Sequence, residues 1–299
     1  MKRRIHDKQT GMWIENREYT CLLSKMLLIN LLCFMSLHPV LSQSLEAMTF
    51  NIRFDNIDDG INTWSLRKNA VADLIKSHNP DIIGTQEGLV HQIEYLDESL
   101  EDYAYFGNGR DDGKQKGEYC AVFYHKRRWK LLESKTMWLS PTGEVGVSGW
   151  DAALPRVFTF GILCSLENQD TVFVINTHFD HRGEIARLNS AKLILDFISE
   201  KQTRGKTWIV LGDFNATPDE EPVRLLKEQL SSGCFYASDE HKEKGTFNGF
   251  DPDIVTGRAI DHIFVKNGKI RACKVLYDKR SANEFISDHF PVLMTVVLP

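Results

Sequence analysis

The sequence predicts an α/β protein in which helices lie outside two mixed β-sheets. Apolar runs of strand length are interleaved with segments of helical spacing along most of the chain. Some neighbouring strand-like runs are separated only by a short turn, such as Lys266–Lys269, which is typical of antiparallel hairpins. Runs such as Trp208–Leu211 have no polar face, and a strand of this kind must be covered on both sides. Two sheets stacked face to face explain these observations together.

The helices are predicted from residues that repeat every three or four positions. In Ser65–His78 the apolar positions are Leu66, Ala70, Val71, Leu74 and Ile75. Val90–Leu100 is a second helix. Gly183–Lys201 is a third, with Ile185, Leu188, Ile194, Leu195 and Ile198 expected to face a core. Asp219–Leu230 is a fourth, because Pro222 is tolerated in the first turn of a helix.

The strands are predicted from short apolar and β-branched runs that end at polar or turn residues. In order they are Leu45–Phe54, Asp81–Thr85, Tyr103–Phe106, Tyr119–His125, Trp129–Leu139, Arg156–Leu166, Thr171–Thr177, Trp208–Leu211, Ile260–Val265, Ile270–Tyr277 and Pro291–Leu298. The segment Gly143–Leu154 reads as an irregular connection.

The first 42 residues differ from the rest in charge and hydropathy. Residues 1–25 contain six Lys or Arg and three Asp or Glu, whereas residues 26–42 contain none of these. A basic start, an apolar run and then small residues at Ser42 favour a secretory signal over a single membrane anchor. Met26 is an alternative start. We therefore expect a leader over residues 1–42, one domain over 43–299, and a secreted or periplasmic protein.

Removal of that leader would make the chain strongly acidic. The whole chain has a formal charge of −5 and the leader contributes +3, so residues 43–299 carry −8. Such a chain lacks the broad basic field that favours binding of long nucleic acids, although a bound metal can supply local positive charge. Residues 43–299 contain Cys120, Cys164, Cys234 and Cys273. Export permits disulfides. Cys120 and Cys164 lie in apolar runs, where buried free thiols are the simpler expectation.

Polar residues that could carry chemistry occur at or just beyond the ends of the apolar runs. They are Asn51, Glu87, His178, Asp213 with Asn215, Asp261, and Asp288 with His289. Carboxylates, amides and imidazoles brought to strand ends predict a hard-metal site with acid and base groups beside it. That combination is typical of a hydrolase that acts on phosphate esters.

Several of these residues also have an ordinary explanation. Gly-Asp-Phe-Asn at 212–215 is equally a surface turn, since Gly, Asp and Asn favour turns. Asp288 could simply cap a turn beside an incidental His289, and Asn51 could be an ordinary strand amide. Asp261 lies inside an apolar strand, so burial without a partner would be unfavourable, and His289 is the expected partner. His262 would face the opposite side of that strand.

The expected metal is Mg²⁺, with Mn²⁺ as the near competitor. Mg²⁺ prefers carboxylate and amide oxygens and keeps several waters, which suits Asn51 and Glu87. No compact histidine-rich set and no Cys-x-x-Cys is present, which disfavours zinc. His289 near neutral pH is a natural proton carrier, and His178 could bind a non-bridging oxygen or protonate a leaving group.

With these residues in this order, the chain resembles the endonuclease/exonuclease/phosphatase superfamily from about Met48 to Val297. Gly109–Gly113, Gly149–Ala152 and Thr177–His181 resemble signatures of its secreted bacterial hydrolases. The resemblance implies a four-layer α/β sandwich like that of pancreatic deoxyribonuclease, with the site at one end of two packed sheets.

The resemblance also implies roles for the site residues. Asn51 and Glu87 would hold the metal, and Asp288 would be a ligand or lie just behind one. Asp213 would orient or deprotonate water, and Asn215 would bind phosphate. His289, paired with Asp261, would serve in acid/base chemistry or phosphate contact, and His178 would stabilise the pentacoordinate phosphorus.

The sequence departs from some branches of that superfamily. It has neither an inositol-phosphatase substrate signature nor a basic DNA-gripping loop. Arg110, Trp150 and Arg156 are the candidate substrate contacts, and the alternative for them is surface salt bridges and a packed indole.

The sequence thus predicts an exported, Mg²⁺-dependent phosphoester hydrolase. Its expected substrate is a phosphorylated small molecule, lipid or sugar-linked group. Nucleic acid is a possible substrate, and a secreted endo- or exonuclease is the main alternative. A catalytically silent binding module of the same fold is a more remote one. We expect a monomer with no stable membrane partner.

Overall fold

A computed structural model describes residues 43–201, 203–234, 245–251, 257–281 and 284–299. The predicted leader lies outside the described residues. The strands are β1 (Ser44–Asn51), β2 (Ile82–Gly88), β3 (Tyr103–Phe106), β4 (Tyr119–His125), β5 (Trp129–Trp138), β6 (Val157–Ser165), β7 (Thr171–His178), β8 (Thr207–Asp213), β9 (Ser231–Ser232), β10 (Asp261–Lys266), β11 (Lys269–Val275), β12 (Lys279–Ser281), β13 (Glu284–Phe285) and β14 (Val292–Val297). The helices are α1 (Trp64–His78), α2 (Val90–Ser99), α3 (Glu184–Glu200) and α4 (Glu221–Gln229), and Ile57–Asn62 forms a 3₁₀ helix.

Twelve of these strands form two six-stranded mixed sheets, and β12 and β13 pair with each other in a separate antiparallel ladder. The first sheet has the order β11-β14-β1-β2-β4-β3 and the second has the order β5-β6-β7-β8-β10-β9. Each contains one parallel pair near its centre, β1 with β2 and β7 with β8, and the other pairs in both sheets are antiparallel. The mixed topology predicted from the short turns is confirmed.

Three buried clusters define four layers. One lies between the sheets and includes Leu45, Val174 and Ile209. A second packs the first sheet against α1 and α2, and a third packs the second sheet against α3 and α4. Helices, sheet, sheet and helices therefore follow one another, which confirms the predicted four-layer sandwich.

Alternation along the central strands decides which side chains enter the space between the sheets. On β1, Leu45 and Ala47 belong to the inter-sheet cluster, whereas Met48 and Phe50 face the helices. On β8, Ile209 and Leu211 face the other sheet. Because side chains alternate with a period of two, Asn51 and Asp213 continue these inward-facing rows to the strand ends.

One predicted core position on the helices is wrong, because Ile185 is 58% exposed. Leu66, an apolar position at helical spacing in the first helix, is also exposed, at 57%. On α1 the neighbouring Arg67 is buried instead, because its guanidinium donates to the carbonyls of Asn62, Ile52, Ile286 and Arg53. Helical spacing places a residue on a face, but near a helix start the adjoining loop determines what covers that face.

A disulfide joins the edges of the two sheets. Cys234 follows β9 at one edge of the second sheet, and it pairs with Cys273 on β11 at the edge of the first. Cys120 and Cys164 are buried free thiols, as predicted. Among the described residues, no helix combines the length and hydropathy needed to cross a membrane.

Candidate active site

The predicted site residues converge at one end of the sandwich. Asn51, His178 and Asp213 are the last residues of β1, β7 and β8, and Asp261 is the first residue of the antiparallel β10. In the second sheet Asp213 lies between His178 on one side and Asp261 on the other. One layer of inward-facing polar side chains therefore crosses both sheets at this end.

Glu87 reaches the site through an irregularity in β2. The pairing of β2 with β4 shifts between Thr85 and Gly88, and Glu87 has a φ of +65°. A bulge re-aims a side chain that regular alternation would turn elsewhere. Glu87 thus joins Asn51, whose Nδ2 donates to Glu87 Oε1 at 3.0 Å and to Asp213 Oδ2 at 3.0 Å.

His289 and Asp261 form a buried pair, with His289 Nδ1 2.8 Å from Asp261 Oδ2. The Nε2 atom of the same ring lies 3.8 Å from Asp213 Oδ2. Burial lowers the pKa of His289, but the charges of Asp261 and Asp213 outweigh burial and raise that pKa to about 10. His289 is therefore a cation at neutral pH, and the predicted pairing with Asp261 is present.

Asp213 is a carboxylate adapted to exchange protons near neutral pH. Burial and the nearby Asp261 charge raise its pKa to about 7, against the opposing influence of His289. Its Oδ1 accepts a hydrogen bond from the backbone N of Asn215 at 2.9 Å. The Asn215 side chain has turned to donate to Phe179 O at 3.0 Å, with a φ of +47°. One of the two amide hydrogens of Asn215 is thus used within the fold.

His178 stands between Asp213 and a further acid, Glu118. Its Nε2 is 3.5 Å from Asp213 Oδ2 and its Nδ1 is 3.8 Å from Glu118 Oε2. Burial, reinforced by the positive charges of Arg156 and Arg110, holds the pKa of His178 well below its usual value. His178 is therefore neutral where His289 is charged, so the two imidazoles are suited to different tasks.

Asp288 faces an arginine. Its Oδ2 lies 3.7 Å from Arg53 Nη1, and the same nitrogen lies 3.9 Å from Glu87 Oε2. Burial raises the pKa of Asp288 to about 6, and Glu87 adds to this effect against His289 and Arg53.

Comparison with known proteins gives this arrangement a family. A model of the Endonuclease/Exonuclease/phosphatase family matches residues 48–289. The chain belongs to this family. It is therefore a metal-dependent hydrolase of phosphoester bonds.

Solved structures and a curated relative agree with the assignment. A family protein from Bacteroides thetaiotaomicron is 34% identical with a TM-score of 0.79, over 86% of this chain and 98% of its own. The mannosyl-6-phosphatase of the same species is 34% identical with a TM-score of 0.78, over 85% of this chain and all of its own. An uncharacterized protein of Acanthamoeba polyphaga mimivirus is 28% identical over 250 residues, which is 77% of this chain and 91% of the viral one.

The phosphoesterase has a donor set that fits the divalent metal of its family. One ligand atom each from Glu87, Asp213 and His289 lies within 4.8 Å of the others. The two carboxylates supply the hard oxygens that such a cation prefers. Asn51 Nδ2 bridges these same carboxylates, so Asn51 would have to present its Oδ1 to act as a ligand. Because His289 is protonated, it is better suited to donate to a phosphate than to bind a cation.

The three predicted substrate contacts have different surroundings. Arg110 is buried and donates to both carboxylate oxygens of Glu118 at 2.7 Å. Arg156 is also buried, with Nε 3.2 Å from Asp180 Oδ2 and Nη2 2.9 Å from His181 Nδ1. Trp150 remains 38% exposed with a φ of +51°. The paired arginines match the ion-pair alternative except that they are buried, and the roles of all three in substrate binding remain predictions.

Sequence reasoning missed two groups that shape the phosphoesterase site. Glu118 precedes β4 and pairs with Arg110 beside His178. The surrounding sequence Gly-Glu-Tyr contains no motif that predicts a role for it. Beneath the site, Gln86 Nε2 donates to Asn176 Oδ1 at 2.7 Å, and Asn176 Nδ2 donates to the carbonyls of Thr85 and Ala121 at 2.8 Å. Gln86 and Asn176 lie inside the motifs Thr-Gln-Glu and Asn-Thr-His. They link the sheets directly under the site.

His262 faces away from the site, as expected. Its Nε2 is 2.8 Å from Ala216 O, and burial lowers its pKa to about 4. A buried, neutral ring with a backbone partner is structural.

Proposed function

We propose that the protein is an exported, Mg²⁺-dependent hydrolase. It hydrolyses the phosphate ester of a sugar or of a similarly small polar group. The observation that carries the proposal is the convergence of Glu87, Asp213 and His289 within 4.8 Å, with Asn51 bridging the two carboxylates. A hard-cation site, the basic carboxylate Asp213 and the imidazolium His289 together supply the groups needed for attack of water on phosphorus.

The residues of the chain divide the reaction between them. Asp213, with a pKa near 7, accepts a proton from the attacking water. His289, held protonated by Asp261, donates a hydrogen bond to a phosphoryl oxygen, where negative charge develops. His178 remains neutral and can donate to another such oxygen. A bound Mg²⁺, held by Glu87 with Asp213 or Asn51, would neutralise charge on the phosphoryl group. Mn²⁺ is the near alternative.

Two observations favour a small substrate. First, Arg110 and Arg156 are committed to Glu118 and Asp180, so neither extends a basic track for a nucleic acid backbone. Second, the Bacteroides thetaiotaomicron relative with 34% identity over its whole length is a mannosyl-6-phosphatase. A sugar phosphate is therefore the first substrate to test.

The disulfide supports export. Cys234–Cys273 requires an oxidising compartment in most organisms, and a basic, then apolar N-terminal segment is typical of a secretory leader. These features support the proposal that the mature protein, residues 43–299, is periplasmic or secreted.

The test is a substrate panel with Mg²⁺, Mn²⁺ or chelator. Mannose 6-phosphate and glucose 6-phosphate represent sugar monoesters, bis-(nitrophenyl) phosphate represents a diester, and supercoiled plasmid represents nucleic acid. Asp213→Asn is the inactive comparison. Asp219→Asn is the matched control, because Asp219 is exposed and lies in the loop that follows β8.

The expected result is metal-dependent release of phosphate from a sugar ester, lost in Asp213→Asn and kept in Asp219→Asn. Plasmid nicking without sugar-phosphate hydrolysis would replace the proposal by a nuclease. Absence of sugar-phosphate turnover with either metal would overturn the proposed substrate class.

A further inference from the structure

Arg53 brings a fixed positive charge to the carboxylates of the site. Its Nη1 lies 3.9 Å from Glu87 Oε2 and 3.7 Å from Asp288 Oδ2. Both distances exceed a hydrogen bond, so the attraction is coulombic. The same nitrogen thus serves two carboxylates that come from β2 and from the loop before β14.

The backbone of Arg53 is held in an unusual conformation. Its φ is +58°, in the left-handed region that non-glycine residues rarely adopt. Its N donates to Asn51 Oδ1 at 3.0 Å, and its O accepts from Gln92 Nε2 at 2.9 Å and from Arg67 Nη2 at 3.3 Å. Such a conformation persists only where the surroundings impose it.

The guanidinium itself is also fixed. Its Nε and Nη2 donate to the two oxygens of Asp59, each at 3.1 Å, which sets the plane of the group. Phe54 supports it from one face, with Arg53 Cζ 4.4 Å from the ring centroid. The side chain is 24% exposed. Two of its three nitrogens are therefore committed to Asp59, and the third is the one directed at Glu87 and Asp288.

A cation between two carboxylates is what the second ion of a two-metal phosphoesterase provides. We propose that the Arg53 guanidinium replaces that second ion, so that the chain binds one divalent cation, and that Arg53 supplies the other positive charge between Glu87 and Asp288. The inference rests on the proposed metal-dependent function. On this proposal, the number of divalent cations that the site binds depends on the Arg53 side chain.

The experiment counts bound Mn²⁺ without any substrate. Metal-free protein is titrated with Mn²⁺, and free ion is followed by electron paramagnetic resonance, with calorimetry for Mg²⁺. Wild type is compared with Arg53→Met, which removes the charge, and with Arg53→Lys, which keeps it. Arg127→Met is the matched control, because exposed Arg127 pairs with Asp102 far from the site. Circular dichroism establishes that each variant is folded.

We expect one Mn²⁺ per chain for wild type, Arg53→Lys and Arg127→Met, and a second Mn²⁺ in Arg53→Met. Removing a unit charge about 4 Å from two carboxylates should also tighten the first site by about tenfold or more. The inference is overturned if wild type binds two ions, or if folded Arg53→Met binds one with unchanged affinity and only its KM for substrate changes. Should Arg53→Met fail to fold, two ions bound to Arg53→Lys would also overturn it, because that variant keeps the charge. A wild type that binds no ion would instead defeat the proposed metal-dependent function.

Discussion

His289 Nδ1 and Asp261 Oδ2 are 2.8 Å apart in a buried pair whose members are 28 residues apart in sequence. Asp261 begins β10, and His289 lies in the loop that leads into β14, so the pair joins the two sheets. It fixes the ring while Nε2 faces Asp213. The protonation of His289 therefore depends on Asp261, whose carboxylate need not touch the substrate.

Asp261→Asn should move the alkaline limb of the pH–rate profile to lower pH. Asp261 and Asp213 overcome burial to raise the pKa of His289 to about 10, so removing the Asp261 charge lowers that pKa. Since the protonated ring is the active form, activity should be lost earlier as pH rises. The measurement is kcat/KM against pH at saturating Mg²⁺. At pH 8 we expect kcat/KM to fall by less than the ~10²–10⁴ that is typical when a general acid itself is removed. Exposed Asp97→Asn is the control, and an unmoved limb would contradict this role of the pair.

Asp213→Asn should greatly lower turnover while making the metal-free protein more stable at pH 8. The folded-state pKa of Asp213 is raised to about 7, so the fold favours its protonated form. This favourable contribution is complete below the unfolded pKa of about 4 and disappears as pH rises through 7. Neutral Asn avoids the penalty. For each kcal/mol relieved, Tm should rise by about 2–4 °C.

The decisive comparison for Asp213→Asn is thermal unfolding with chelator at pH 8 and again at pH 5. The advantage over wild type should be larger at pH 8. Turnover should fall by ~10²–10⁴. A variant that is less stable than wild type at pH 8 would show that ionised Asp213 is well accommodated without metal.

Glu118→Ala should destabilise the protein by about 3–5 kcal/mol, because it leaves the buried Arg110 guanidinium without its bidentate partner. The double variant Arg110→Met/Glu118→Met should recover much of that loss, since apolar replacement of a buried pair is often neutral. Urea unfolding of both single variants and the double variant gives the coupling energy. If the losses in free energy of unfolding of the two single variants add up in the double variant, Arg110 and Glu118 do not stabilise the fold as a pair. Activity should fall in all three, because Glu118 lies beside His178.

Cys273→Ser should lower the free energy of unfolding by about 2–4 kcal/mol. The bridge spans 39 residues of sequence and links the edges of the two sheets. Cys164→Ser, which removes a buried free thiol, is the control for loss of a sulfur atom. Urea titration of protein purified without reductant makes the measurement. Wild type whose Tm is unchanged by reductant would argue that the bridge contributes little.

The sequence alone determined that two stacked mixed sheets carry outer helices, and it determined most of the side chains that meet at the site. Strand alternation is a local property of the backbone, so the inward rows ending at Asn51 and Asp213 follow from residue order. The same reasoning, together with the unfavourable burial of a lone carboxylate, predicted the partner of Asp261.

Only the tertiary structure decided which charges meet. Arg110 and Arg156, two of the candidate substrate contacts, are buried against Glu118 and Asp180, and Arg53, which the sequence analysis did not single out, brings positive charge to Glu87. These contacts depend on the bulge in β2 and on how the two sheets and their loops pack. Such long-range geometry is set by the whole core at once, and no local pattern in the chain encodes it.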